Sequence, residues 1–107
     1  MTFLAIDAQK NLFTLQKSQL QFEYTLIMNR ANQMTKEMGL YEAAQDSSWD
    51  AETDPYYQQL ASTEQYLETR GDSIDSQITA LDNEISSMKN MVNNNIKSSC
   101  SLNLIGG

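Results

Sequence analysis

Ser47 to Pro55 reads SSWDAETDP, and the fold depends on whether this stretch is a turn. It holds the chain's one tryptophan and one proline, with three acids and no base. Paired serines, Asp50 and Pro55 are turn chemistry, because short polar side chains bond their own backbone and proline presets its φ. Either Thr53 or Asp54 can cap a helix whose first position is Pro55, where a missing N–H costs nothing. Trp49 serves either as a lid on the end of a hairpin or as a docking group for a partner.

The segments on both sides repeat every seven residues. Before the stretch run Ile6, Phe13, Leu20, Ile27, Met34 and Tyr41; after it run Leu60, Leu67, Ile74, Leu81 and Met88. A second stripe in the later half, Tyr57, Glu64, Gly71, Ile78, Ile85 and Val92, completes an a/d seam broken at Glu64 and Gly71. Facing the two stripes antiparallel pairs Tyr41 with Leu60, Met34 with Leu67, Ile27 with Ile74, Leu20 with Leu81 and Phe13 with Met88. The numbers of each pair add to 101, which centres the turn between Asp50 and Ala51. The reading is an all-α, coiled-coil-like antiparallel hairpin. It has a helix over about 4–45, a turn over about 46–54, a helix over about 55–98 and a flexible tail over 99–107. The same register sets Lys36 near Glu64, Lys17 near Asp82 and Glu84, and Gly71 near Asn29 and Arg30, with Lys10 and Lys17 snorkelling at the seam edge.

Composition agrees with an all-α class. Of the 107 residues 40% are hydrophobic, four are glycine and one is proline, too little punctuation for a many-stranded fold. The net charge of −7 repels phosphate backbones and argues against a nucleic-acid partner. Eleven acids and one base lie between Glu42 and Glu84, whereas residues 1–41 carry +1 and residues 85–107 carry +2. A hairpin therefore has one acidic end and one mildly basic end, suited to axial attraction between copies.

Chemistry-bearing motifs are sparse. There is no histidine and one cysteine, Cys100, so a zinc site has no ligand set. Counting from Asp46 as a calcium loop, the required glycine and final glutamate are replaced by Ala51 and Tyr57. No nucleophile stands beside a base, and no glycine-rich phosphate loop occurs. The expectation is a non-enzyme without cofactor or metal. The RGD tripeptide at Arg70–Asp72 lies inside the heptad pattern, whereas integrin recognition needs an extended loop. No run reaches the 18 apolar residues of a membrane span. The opening MTFLAIDAQK lacks a basic signal region, so the localisation expected is cytoplasmic or exported without a cleaved signal peptide.

Leu12, Leu15, Phe22 and Leu26 lie off the main stripe. A single partner helix cannot cover them, so they are the expected oligomer interface, assembling hairpins into a helical bundle. Leu40 widens the same face.

The polar, uncleaved start and the MKNMVNNNIKSS segment, Met88 to Ser99, resemble helical-hairpin subunits and substrates of bacterial type III and flagellar-type export. Those proteins polymerise through long amphipathic helices; their two-proline turn is here reduced to Pro55. Trp49-Asp50-Ala51 in the turn of an acidic hairpin is similar to the WXG-type substrates of ESX secretion, with Ala51 in the glycine position and no C-terminal Tyr-x-x-x-Asp/Glu signal. The first resemblance implies a structural or exported component of a bacterial secretion or filament system, with other copies and secretion-apparatus proteins as partners. The alternatives are a WXG-like secreted dimer and a coiled-coil chaperone or adaptor.

Overall fold

Neither long segment contains an interior proline, and both are rich in straight-chain residues, so each continues as helix until turn chemistry stops it. The computed structural model describes the backbone of residues 2–106 and the side chains of Thr2 and residues 4–98. Helix α1 spans Phe3–Ala43 and helix α2 spans Pro55–Gly106, with a single 3-10 turn at Ala51–Thr53 in the linker. No strand occurs among the described residues. The chain is an all-α helical hairpin. Thr2 caps α1 by accepting the Ala5 N–H at 3.3 Å. Helix α2 continues past Ser98, where the sequence reading placed a tail, because SSCSLNLI contains neither proline nor glycine to end it. Cys100 and the other side chains of 99–107 lie outside the described residues.

The chain divides into two units, Met1–Leu20 with Ser76–Gly107, and Gln21–Asp75. In the first, Ile6 and Val92 are buried. Phe13, Leu20, Ile78, Leu81, Ile85 and Met88 are half-buried at the heptad positions between them. Lys17 on α1 pairs with Asp82 on α2 at 2.5 Å. In the second unit Ala31, Leu60, Leu67 and Ile74 are buried, Ile74 almost completely. Ile27, Met34, Tyr41 and Tyr57 are half-buried beside them.

Burial on α1 reveals a second stripe, Lys10, Lys17, Tyr24, Ala31, Met38 and Gln45, none of them exposed. It completes the a/d seam of the first helix. Lys10 and Lys17 occupy it with their stems while their ammonium groups reach Asp7 at 2.9 Å and Asp82.

The register differs from that of the simple stripe pairing. Lys17 meets Asp82 as the sequence leads one to expect, but Met28 and Ile27 are the neighbours of Gly71 and Thr35 donates to Glu64 at 2.9 Å. The numbers of these pairs add to 98 or 99 rather than 101. The approach at Gly71 therefore comes from Tyr24, Ile27 and Met28, not Asn29 and Arg30, and Glu64 takes a hydroxyl from Thr35 in place of Lys36. A seven-residue repeat leaves the register open to half a repeat, and the pairing settles where α1 layers occupied by small or polar side chains also contribute to the seam.

The two interior glycines experience opposite environments. A Cβ on Gly71 would lie 2.9 Å from the Met28 Sδ and 3.7 Å from Tyr24, whereas a Cβ on Gly39 would meet nothing within 4 Å. Gly39→Ala is expected to stabilise the hairpin by up to about 1 kcal/mol through helix propensity. Gly71→Leu is expected to destabilise it by about 1–3 kcal/mol through overpacking. Urea unfolding followed by circular dichroism measures both.

Candidate functional site

At the closed end of the Gln21–Asp75 unit, side chains of the linker bond the backbone of the turn. Gln45 Nε2 donates to the Tyr41 carbonyl at 3.0 Å, beside the Ala44 N–H that the same oxygen accepts at the end of α1. Asp46 accepts from the Ser48 N–H and hydroxyl at 3.1 and 2.6 Å. Asp50 caps the 3-10 turn by accepting from the Glu52 N–H. Asp54, rather than Thr53, caps α2. Its Oδ1 accepts from the Tyr56 and Tyr57 N–H groups at 2.9 and 3.1 Å. Its Oδ2 accepts from the Tyr41 hydroxyl at 2.5 Å and the Trp49 indole N–H at 2.8 Å.

Trp49 is thereby turned inward. Its ring meets Tyr57 edge-on with centroids 5.0 Å apart and Tyr41 at 6.1 Å, while Tyr41 also contacts Tyr56 at 4.9 Å. The half-buried indole spends its donor on Asp54 and makes T-shaped contacts with two tyrosines, the geometry of a lid over the seam's last layer. Pro55 starts α2 at the position its missing N–H tolerates. No residue among the described ones has a positive φ, so Ala51 occupies the turn without the freedom a glycine would bring.

These contacts move two titrations in opposite directions. The hydrogen bond from Tyr41, then that from Trp49, holds the Asp54 carboxyl below its ordinary value. The same bond to Asp54, followed by desolvation, raises the Tyr41 phenol. Asp46 is lowered by the Ser48 hydroxyl and then by its N–H.

The outward positions of α1 are a different kind of surface. Leu12 and Leu15 are 51% and 57% exposed in the first unit, and Phe22 and Leu26 are 67% and 53% exposed in the second. Leu40 and, on α2, Tyr66 are exposed as well. Within the Gln21–Asp75 unit an open groove has Ile27 and Leu67 as its floor and Leu26 and Tyr66 on its walls, with Arg30 and Arg70 at its rim. These are the chain's two arginines. Arg70 crosses to Glu23 on α1 at 2.8 Å, which places the RGD segment inside a helix with Gly71 buried. A second groove on α1 runs past Leu26, Ile27, Asn29, Arg30 and Gln33.

Sequence reading identified the off-stripe leucines and Phe22 by their heptad positions. It did not identify the Asp54 cluster or bring Arg30 and Arg70 together, although their being the two arginines of an acidic chain was a usable signal. Among the described residues no group of three or more acids or cysteines could hold a metal ion, and no helix is long and apolar enough to cross a membrane. Compared with protein-family models, curated proteins and solved structures, the chain matches none.

Trp49→Ala is expected to destabilise the hairpin by about 1–3 kcal/mol, the loss of two ring contacts at roughly 0.5–1.5 kcal/mol each. Trp49→Phe is expected to recover most of that in thermal melts. The titrations add a pH dependence. Because the folded-state value of Asp54 is depressed, its stabilisation is present above the unfolded carboxyl value, about 3.9, and is lost as pH falls through the lower folded value. The raised Tyr41 value acts oppositely: its contribution is present below about pH 10 and is lost as pH rises through the folded value. Melting temperatures from pH 2 to 11 should therefore fall at both extremes, with Asp54→Asn flattening the acid limb and Tyr41→Phe the alkaline one.

Proposed function

We propose that this chain is a non-enzymatic, self-associating helical hairpin, serving as a structural or exported subunit of a bacterial secretion or filament system. The observation that supports the reading is the state of the outer positions of α1. Leu12, Leu15, Phe22 and Leu26 are each more than half exposed, while the inner seam of the same helix is already covered by α2. Water-exposed leucines and a phenylalanine recurring at helical spacing mark an interaction face rather than scattered surface residues.

Magnitudes favour a second copy as the covering group. Fully burying four such side chains is worth roughly 6–12 kcal/mol, and about half to two thirds of that remains available at their observed exposure. One copy of the face gives a gain comparable with the roughly 4–15 kcal/mol cost of association. A symmetric contact contributes the face from both chains against a similar cost. The acidic segment from Glu42 to Glu84 and the mildly basic remainder add a salt-sensitive component if copies also meet end to end. The secretion or filament setting follows the resemblance to type III and flagellar-type hairpin subunits, which assemble through such helices.

Light scattering over a concentration series, at low and high salt, tests the proposal. The expected result is a mass above that of the monomer that rises with concentration, and that falls in a Leu15→Ser, Phe22→Ser variant. A monomer at every concentration would overturn it.

A further inference from the structure

The geometry points to one particular contact between copies: two Gln21–Asp75 units packed face to face, with their α1 helices antiparallel about a two-fold axis at Gln33. This inference rests on the self-association proposed above and specifies where one contact lies.

Four residues on one side of α1 carry it. Leu26 is 53% and Leu40 is 74% exposed; Arg30 and Glu37 lie between them and are also exposed. Their spacing is close to a palindrome: apolar at 26, cation at 30, anion at 37, apolar at 40. Leu26 and Leu40 are two heptads apart, and Arg30 and Glu37 are one heptad apart, so each pair keeps one azimuth along the helix. In an isologous interface residue i meets j and j meets i. A two-fold axis at Gln33 sets Leu26 of one copy against Leu40 of the other, and Arg30 against Glu37, each twice.

Three further observations favour this arrangement. Among the described residues, neither Arg30 nor Glu37 stands in an ion pair, whereas Lys10 pairs with Asp7, Lys17 with Asp82 and Arg70 with Glu23. The groove lined by Leu26, Arg30 and Gln33 lies open on this side. The observed register also places Tyr66, 65% exposed, level with Gln33, so the α2 helices bring the two Tyr66 rings toward each other across the same axis. A parallel arrangement would instead set Arg30 against Arg30 and Glu37 against Glu37. Charge therefore selects the antiparallel one.

The test is a charge swap read by sedimentation and light scattering on the full chain. Arg30→Glu alone and Glu37→Arg alone should each weaken association about tenfold, because each change places two like-charge contacts in the interface. The double variant Arg30→Glu, Glu37→Arg should restore it. In a Cys100→Ser background, Gln33→Cys should form a disulfide-linked dimer on mild oxidation, whereas cysteine at exposed Asn32 should not. A wild-type chain that is monomeric throughout overturns the self-association reading itself. A wild-type chain that associates, but whose association is unmoved by either reversal or not restored by the swap, overturns this contact alone. So does equal cross-linking at positions 32 and 33.

Discussion

Asp54 stands where the end of α1, the linker and the start of α2 converge, and its carboxylate accepts from all three. Tyr41 reaches it from the first helix, Trp49 from the linker, and two N–H groups from the first turn of the second helix. Helix N-termini favour an anion and leave N–H groups unsatisfied, so the carboxylate is stabilised where it also ends the turn. With both oxygens occupied, the reversal of chain direction has one geometry. The direction in which α2 leaves follows from that geometry.

Downstream of the tip, the helices are held by a seam that is less apolar than its heptads suggest. Lys10, Lys17, Glu64 and Gly71 all occupy seam layers, yet no side-chain nitrogen or oxygen among the described residues is buried without a partner. The lysines are accommodated by long stems and nearby aspartates, Glu64 by Thr35, and Gly71 by the Met28 side chain lying across it. Such layers add little energy, since exposed ion pairs are worth roughly 0–1 kcal/mol. Their effect is on alignment: a slip of one heptad would leave Lys17 without Asp82 and press a larger side chain into the space that Gly71 leaves open. Register specificity is thus carried by the polar and small layers, and stability by Leu60, Leu67, Ile74 and their neighbours.

The division of α1 into an inner and an outer face connects the fold with the proposed assembly. A helix in a hairpin is covered along one stripe, and a helix apolar on two sides has a second stripe to bury. Leu12, Leu15, Phe22, Leu26 and Leu40 are of the same residue types as the inner layers but lie on the uncovered side. The internal contacts of the tip engage Trp49, Tyr41 and Tyr57, so the proposed assembly rests on the exposed apolar side chains of α1 and on Tyr66.

Much of this architecture was determined by the sequence alone. The seven-residue spacing of Ile6 to Tyr41 and of Leu60 to Met88, together with Ser-Ser, Asp and Pro at 47–55, specifies two helices and one reversal, because helix periodicity and turn chemistry are local properties. The exposure of the off-stripe leucines was equally legible, since a two-helix pair covers one face of each helix. Tertiary structure decided what depends on relative placement. The shift of the pairing sum from 101 to 98 or 99 could not be read from apolar residues, because Lys10, Lys17 and Ala31 hold seam layers without the hydrophobic bulk that marks them. Asp54 caps α2 through one oxygen because it directly precedes Pro55, but only the fold brings Tyr41, thirteen positions earlier, to its other oxygen. Arg30 and Arg70, forty residues apart, border one groove only because the chain folds back at Trp49. Contacts between distant positions are a property of the reversal's geometry, and only the folded chain sets that geometry.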